Sequence, residues 1–414
     1  MTDSRRGALA LGVVCWLGFL ALFGQLLAER RPAPPEFRTG VDLIVTSSAD
    51  AGVGSLREAI LAADRTPERV RIRILTPRIT LETALPPLVN PAGVVIDATT
   101  EIDARGLHEG PVLTIVARQS AVRGLTIRGT AVGPGILVRA EGVRLAQVAF
   151  RDCAVGLEVA EGADGLTVEG SSFEENGIGI RVAAEPSAVS LTDNRFRKHD
   201  QAAVWAVSPS PPLGAATPRI VLRRNRFEDD RISVVLINVP GQVEDNRFAR
   251  STEAAVYITG PGMVRGNRLQ GSARFGLLAS AADGAEIEGN EVDHNVGVGI
   301  LLREGRAVSV ARNNVYENGF GIVVVFGDRD RPVVVSENLV MSHRHDGLFV
   351  VGGSPVLRSN RVTGNRGAGL RVLDYVPLRG PRLAADPLLQ ANVLQDNASN
   401  GPLRGDYHVP RTTP

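Results

Sequence analysis

Cysteine is nearly missing from this 414-residue chain: Cys15 lies in an apolar leader, Cys153 deep in the body, and the two make no sensible pair. Disulfides therefore neither stabilise the fold nor report its compartment. An excess of charge of one sign is also lacking. Against 46 Lys+Arg stand 45 Asp+Glu, so no global basic field exists and no nucleic-acid partner is expected. The regular Leu positions and helical return segments of a leucine-rich repeat are absent as well, although the chain is plainly repetitive.

What the chain has in quantity is turn material, 45 Gly and 25 Pro, set in register with one recurring phrase. The phrase reads apolar-x-x-Asn-x-apolar: Leu191…Asn194…Phe196, Leu222…Asn225…Phe227, Val243…Asn246…Phe248, Val264…Asn267…Leu269. It continues through Asn290, Asn313, Asn338 and Asn360, with one more copy at Asn392. Upstream the frame persists with the Asn replaced, at Val168…Ser171…Phe173, Leu145…Val148…Phe150 and Val122…Leu125…Ile127. Successive anchors are 23, 23, 23, 31, 21, 21, 23, 23, 25, 22 and 32 residues apart. A period near 22 decides the fold class before anything else is considered.

Each copy carries a second phrase, Gly or Ala followed by alternating apolar residues, as in Gly179-Ile-Arg-Val182, Gly299-Ile-Leu-Leu302 and Gly369-Leu-Arg-Val372. Period-two alternation is a strand signal, and the segments are too short for helices. Two or three short strands per coil, joined by tight turns, predict an all-β, single-stranded parallel β-helix of roughly 11–13 coils. Parallel crossovers make the expected hand right. The anchor Asn is expected near the left-handed region at each corner, with its amide bonded to the coils above and below. Five residues on, a second ladder reads Cys153, Asn176, His199, Asp230, Ser251, Ser272, Asn295, Asn318, His343, Asn365 and Asn397.

With these phrases the chain resembles the right-handed parallel β-helix proteins of pectate-lyase-like architecture, over roughly residues 95–400. The repeat also resembles the β-helices of C5-epimerases and of nitrous-oxide reductase maturation. The resemblance implies the fold. It does not select a function, because the architecture hosts lyases, hydrolases, epimerases, adhesins and non-catalytic proteins. Copper handling would favour Met and His clusters, whereas Met263 and Met341 stand alone in the body. The run Arg344-His-Asp-Gly347 faintly resembles an alginate-epimerase signature, but the full Asp-Pro-His-Asp motif is absent.

Taken in order, Arg5-Arg6 precede residues 7–28, which carry no charge and are followed by Glu29-Arg30-Arg31. Residues 1–31 are expected to be a signal anchor or a cleaved signal peptide, with the body extracytoplasmic. Residues 32–40 read as a Pro-rich linker. Residues 41–94 should hold an N-terminal cap and irregular first coils. There Ser55 and Glu58 have capping-box spacing ahead of a helix whose apolar face is Leu56, Ile60 and Ala63. The motif Gly-Ser-Leu-Arg-x-Ala-Ile resembles one that covers the open end of surface β-helices. The β-helix should occupy 95–400 and a tail 401–414. Residues 208–218, 327–332 and 374–387 lengthen the repeat at one phase, so they should protrude from one edge.

Two groups of residues point to function. Reading the second phrase by alternation, its middle residue faces outward: Glu158, Arg181, Trp205, Leu236, Tyr257, Leu278, Leu301, Val323, Phe349, Arg371. Such a continuous apolar stripe calls for a partner. With Trp205, Tyr257, Leu301 and Phe349 along it and Arg181 and Arg371 at its ends, the partner is a polysaccharide stacked on the rings, or a docked protein. The second group follows the anchor Asn: Asp293-His294, then Tyr316-Glu317, then Arg344 and His345. On a uronate-containing chain, His294 or His345 would be the base, Tyr316 the acid and Arg344 the carboxylate clamp of a lyase or epimerase. His199 and His343 fall on the second ladder and read as turn histidines. No cofactor is implied. Calcium would need carboxylates from neighbouring coils, and Glu228-Asp229-Asp230 and Asp328/Asp330 lack them.

Overall fold

A computed structural model describes residues 40–183, 188–210, 219–378 and 381–408. The leader and nearly all of the Pro-rich segment lie outside them. Among the described residues no helix is long and apolar enough to cross a membrane.

Alternating short strands close into coils with three sides, and the coils stack in parallel. Sheet 1, of 15 strands, runs from Val41–Val45 to Leu388–Gln390. Sheet 2, of 14, runs from Arg78–Thr80 to Val393–Gln395, and sheet 3, of 13, from Leu113–Ile115 to Ser399–His408. The region expected to be irregular already contributes Val41–Val45 and Val70–Ile74 to sheet 1, and these pair residue for residue. At the other end the expected tail is largely a strand, paired with Ala368–Val376. The helix Leu56–Asp64 forms as the capping signals predict. The Ser55 hydroxyl accepts from the Glu58 N–H, and Leu56, Ile60 and Ala63 are buried in the same core as the first coils.

Inside the coils like stacks on like. Phe150, Phe173, Phe196, Phe227 and Phe248 occupy successive sheet-2 strands with ring centroids 4.9, 4.8, 4.7 and 4.7 Å apart. That is the spacing of the strands themselves. At the sheet 1–sheet 2 corner, Asn267 shows the ladder in full. Its carbonyl accepts from the Asn246 N–H (2.9 Å) and side-chain amide (3.0 Å), while its own amide donates to the Val243 carbonyl (2.7 Å). Sideways bonds of this kind satisfy buried backbone groups that a turn would otherwise strand.

One expectation fails here. The left-handed residue is not the Asn but the one before it: Asp193, Arg224, Asp245 and Gly266 on the first ladder, Asp229, Arg250, His294 and Glu317 on the second. The ladder Asn must aim its amide along the axis, and the preceding residue supplies the reversal.

On the second ladder His199 and His343 take the place of Asn. The buried His199 ring lies between Asp230 (Nδ1, 2.7 Å) and the Asn176 amide (Nε2, 3.4 Å), which places its proton on Nδ1. The Nδ1 of His343 accepts from the Asn318 N–H (3.1 Å), and its Nε2 is buried with no hydrogen-bond partner among the described residues. Both rings press on a glycine: a Cβ at Gly179 or Gly321 would lie 2.9 or 2.7 Å from the ring's Nε2.

Candidate functional site

Because side chains alternate, each sheet presents outward columns, one residue per coil. On sheet 3 one column runs Glu158, Arg181, Trp205, Val235, Tyr257, Leu278, Leu301, Val323, Phe349, Arg371. It matches the predicted stripe except at one step. By register Leu236 points inward and Val235 takes the outward place, although Val235, like Val323 further along the column, is itself buried. That coil has Ser233 where its neighbours have Gly or Ala, so the sequence offered no phase mark. The structure adds Phe275 and Phe320, which face outward three residues before the column. An aromatic residue just before the glycine, Phe275-Gly276 and Phe320-Gly321, was the signal that would have found them.

Five rings thus lie on one face, from Trp205 to Phe349, across six strand steps or roughly 29 Å. They are half-buried rather than fully exposed. At the ends of the column sit two ion pairs, Arg181 with Glu158 (2.5 Å) and Arg371 with Asp346 (2.5 Å). Both arginines are therefore tied to carboxylates.

The ionisable group divides between two places. At the outer corner of sheet 2, His294 bridges Asp293 (Nδ1, 2.6 Å) and Glu317 (Nε2, 2.8 Å). Its ring meets Tyr316 edge-on at 6.3 Å. Arg268 lies 3.5 Å from both Glu291 and Asp293, and the Tyr316 hydroxyl donates to Glu291 at 2.5 Å. Burial, and then that bond to Glu291, hold the Tyr316 phenol above its ordinary range, so it is a reluctant acid. Sequence reasoning missed Glu291 and Arg268, which lie one and two coils from Tyr316 in the neighbouring column, the one that continues into Asn314. His345 lies apart from this group, stacked on Phe320 at 4.6 Å beside the sheet-3 rings. Arg344 is exposed and has no side-chain partner among the described residues.

The carboxylates considered for calcium have separate engagements. Glu228 meets Arg226 and Arg195, Asp229 meets Arg250, and Asp230 meets His199 and Ser233. Asp328 accepts from the N–H groups of Asp330 and Arg331. Among the described residues no group of His, Cys, Asp and Glu is placed to hold a metal ion.

A family described as "Right handed beta helix region" matches residues 114–267 and 214–366. No curated protein matches the chain in sequence. Solved structures do match in shape. The A-module of the Azotobacter vinelandii mannuronan C-5 epimerase AlgE6 aligns with a TM-score of 0.51 at 12% identity, over 88% of this chain and 98% of that one. The AlgE4 A-module from the same organism gives 0.50 at 12% identity, over 88% and 99%. At that identity the likeness speaks for the fold alone.

Proposed function

The chain belongs to the right-handed beta helix family, and from that premise we propose that it is a polysaccharide-binding β-helix that holds its glycan along the outer face of sheet 3. The observation that carries this reading is the set of five half-buried rings, Trp205, Tyr257, Phe275, Phe320 and Phe349, on one continuous face. Pyranose rings present C–H faces that stack on aromatic side chains, and the sheet holds these rings with little freedom left to lose on binding. Trp205 and Tyr257 are two strands apart, roughly 10 Å. Neighbouring contacts therefore fall on different sugars of one chain. The named activity of the shape relatives, epimerisation of mannuronan, agrees with a carbohydrate ligand and adds no residue-level support. The apolar leader suits an exported protein held at a membrane by residues 7–28.

A second reading, a lyase or epimerase acting on uronate chains, draws on the Asp293–His294–Glu317 bridge beside Tyr316 and Arg268. The separation of His345 from that group and the phenol bonded to Glu291 weigh against it. The test is a polysaccharide screen with the full-length protein, recording binding and release of unsaturated uronate together. Trp205→Ala is expected to weaken binding about tenfold or more without any product appearing. Unchanged binding in Trp205→Ala removes the sheet-3 reading. Product lost in His294→Ala establishes the enzyme instead.

A further inference from the structure

Sheet 2 carries an outward column unlike any that stability alone would place. Arg195, Arg226, Arg247 and Arg268 stand directly opposite one another on four consecutive strands. Like charges so placed repel. On sheet 1, four consecutive strands beginning one coil further along show the stable arrangement, Arg223, Glu244, Arg265 and Glu288 alternating in sign, with Arg223 and Glu244 paired at 2.9 Å.

The repulsion is relieved only in part. Glu228 takes both Arg195 (3.3 Å) and Arg226 (2.6 Å), and Glu291 and Asp293 take Arg268. Between them Arg247 is exposed, and no ion pair or hydrogen bond is made by its side chain among the described residues. The next outward position along its strand is Ala249, where the adjoining strands have Glu228 and Gln270. That small residue leaves a groove of about 700 Å³, lined beside Arg247 by Arg226, Arg250, Arg268 and Gln270, with the carboxylates of Glu228, Asp245 and Glu291 also on its walls.

We propose that this groove is an anion site, in which Arg247 receives a carboxylate of an acidic glycan lying along sheet 2. A guanidinium is a planar fork matched to a carboxylate, and Arg226 and Arg268 on either side add to the attraction. The Gln270 amide and the Asp245 carboxylate can hydrogen-bond sugar hydroxyls. The site is on a different face from the sheet-3 rings and does not depend on them.

The experiment is calorimetric titration of the full-length protein with tetragalacturonate and with its methyl ester, which has the same backbone without the charge. Three variants accompany wild type: Arg247→Gln, Arg247→Glu and Trp205→Ala. Wild type is expected to bind the acid at least tenfold more tightly than the ester, and the preference should shrink as salt rises. Arg247→Gln should lose about tenfold in affinity for the acid. Arg247→Glu should abolish that binding while melting at the same or a higher temperature, because it sets an opposite charge between Arg226 and Arg268. A structural role for Arg247 predicts a lower melting temperature instead. Equal binding of acid and ester, no binding of the acid, or wild-type affinity in Arg247→Glu overturns the proposal. Loss of all binding in Trp205→Ala alone assigns the ligand to sheet 3 and overturns it too. Loss in the Arg247 variants alone supports it even where the sheet-3 reading fails.

Discussion

His343→Asn is a substitution whose effect on stability should depend on pH in a calculable way. The native ring is buried, its Nδ1 accepts from the Asn318 N–H, and its Nε2 faces Gly321 with no hydrogen-bond partner among the described residues. Burial lowers its pKa from 6.5 to about 4. A lowered pKa means that the unfolded chain binds a proton where the folded one does not. The stability contributed by the neutral ring is fully present above pH 6.5 and is lost as pH falls towards 4. A shift of that size corresponds to roughly 3 kcal/mol. Asparagine can accept from the Asn318 N–H as Asn365 accepts from the N–H of His343 (2.9 Å), and it does not titrate. Urea unfolding of wild type and variant at pH 7.5, 6, 5 and 4 is the assay. Carboxylates titrate in both proteins and cancel in the difference, which should grow in favour of the variant by about 3 kcal/mol. A solenoid can unfold in parts, so hydrogen exchange of the amides around 318 and 343 provides a local reading. Parallel loss of stability in the two proteins would refute the argument.

Asn267→Ala removes the acceptor for both the Asn246 N–H and its side-chain amide, and the donor to the Val243 carbonyl. With about 1–3 kcal/mol for each of the three buried groups that lose a partner, a loss of roughly 3–9 kcal/mol is expected in urea unfolding; a loss under about 1 kcal/mol would show that the ladder rearranges. Phe196→Ala opens a gap between Phe173 and Phe227, whose rings sit 4.8 and 4.7 Å away. It should cost about 3–5 kcal/mol by the same measurement, and Phe196→Leu much less.

The sequence made the coil legible because every coil solves the same problem with the same residues. Asn194, Asn225, Asn246 and Asn267 recur because each must satisfy the one before it, and Phe173, Phe196 and Phe227 recur because identical rings stack best at strand spacing. The left-handed position was not legible. It is filled by Asp193, Arg224, Asp245 and Gly266 in turn, so no residue type marks it; ladder bonds on its neighbour fix the corner. The candidate site suffered from the same local freedom. Offsets counted from the anchor brought His294 and Tyr316 together correctly, because their strands pair in register, Asp293 opposite Tyr316. They failed for His345, which lies beyond the paired strand Leu339–Met341, in a corner where successive side chains turn to different faces. Register carries over from coil to coil along strands, and corners break it.

That contrast also bears on where function can reside. Stability here is held inside and at the corners, by stacks and ladders that run the length of the axis, so the outward columns are released from it. Their compositions then differ by face. Sheet 1 alternates Arg223, Glu244, Arg265 and Glu288, as exposed pairs on a neutral support would. Sheet 3 sets rings and aliphatic residues between two ion pairs, and sheet 2 stacks four arginines, one of them without an ion pair among the described residues. Alternation of sign on sheet 1 shows that this chain can neutralise a column at that position. Its failure to do so one corner away, and the placing of rings on the third side, are departures from the stable pattern in two different chemical directions. A single ligand lying on one face would account for one departure and leave the other without a cause.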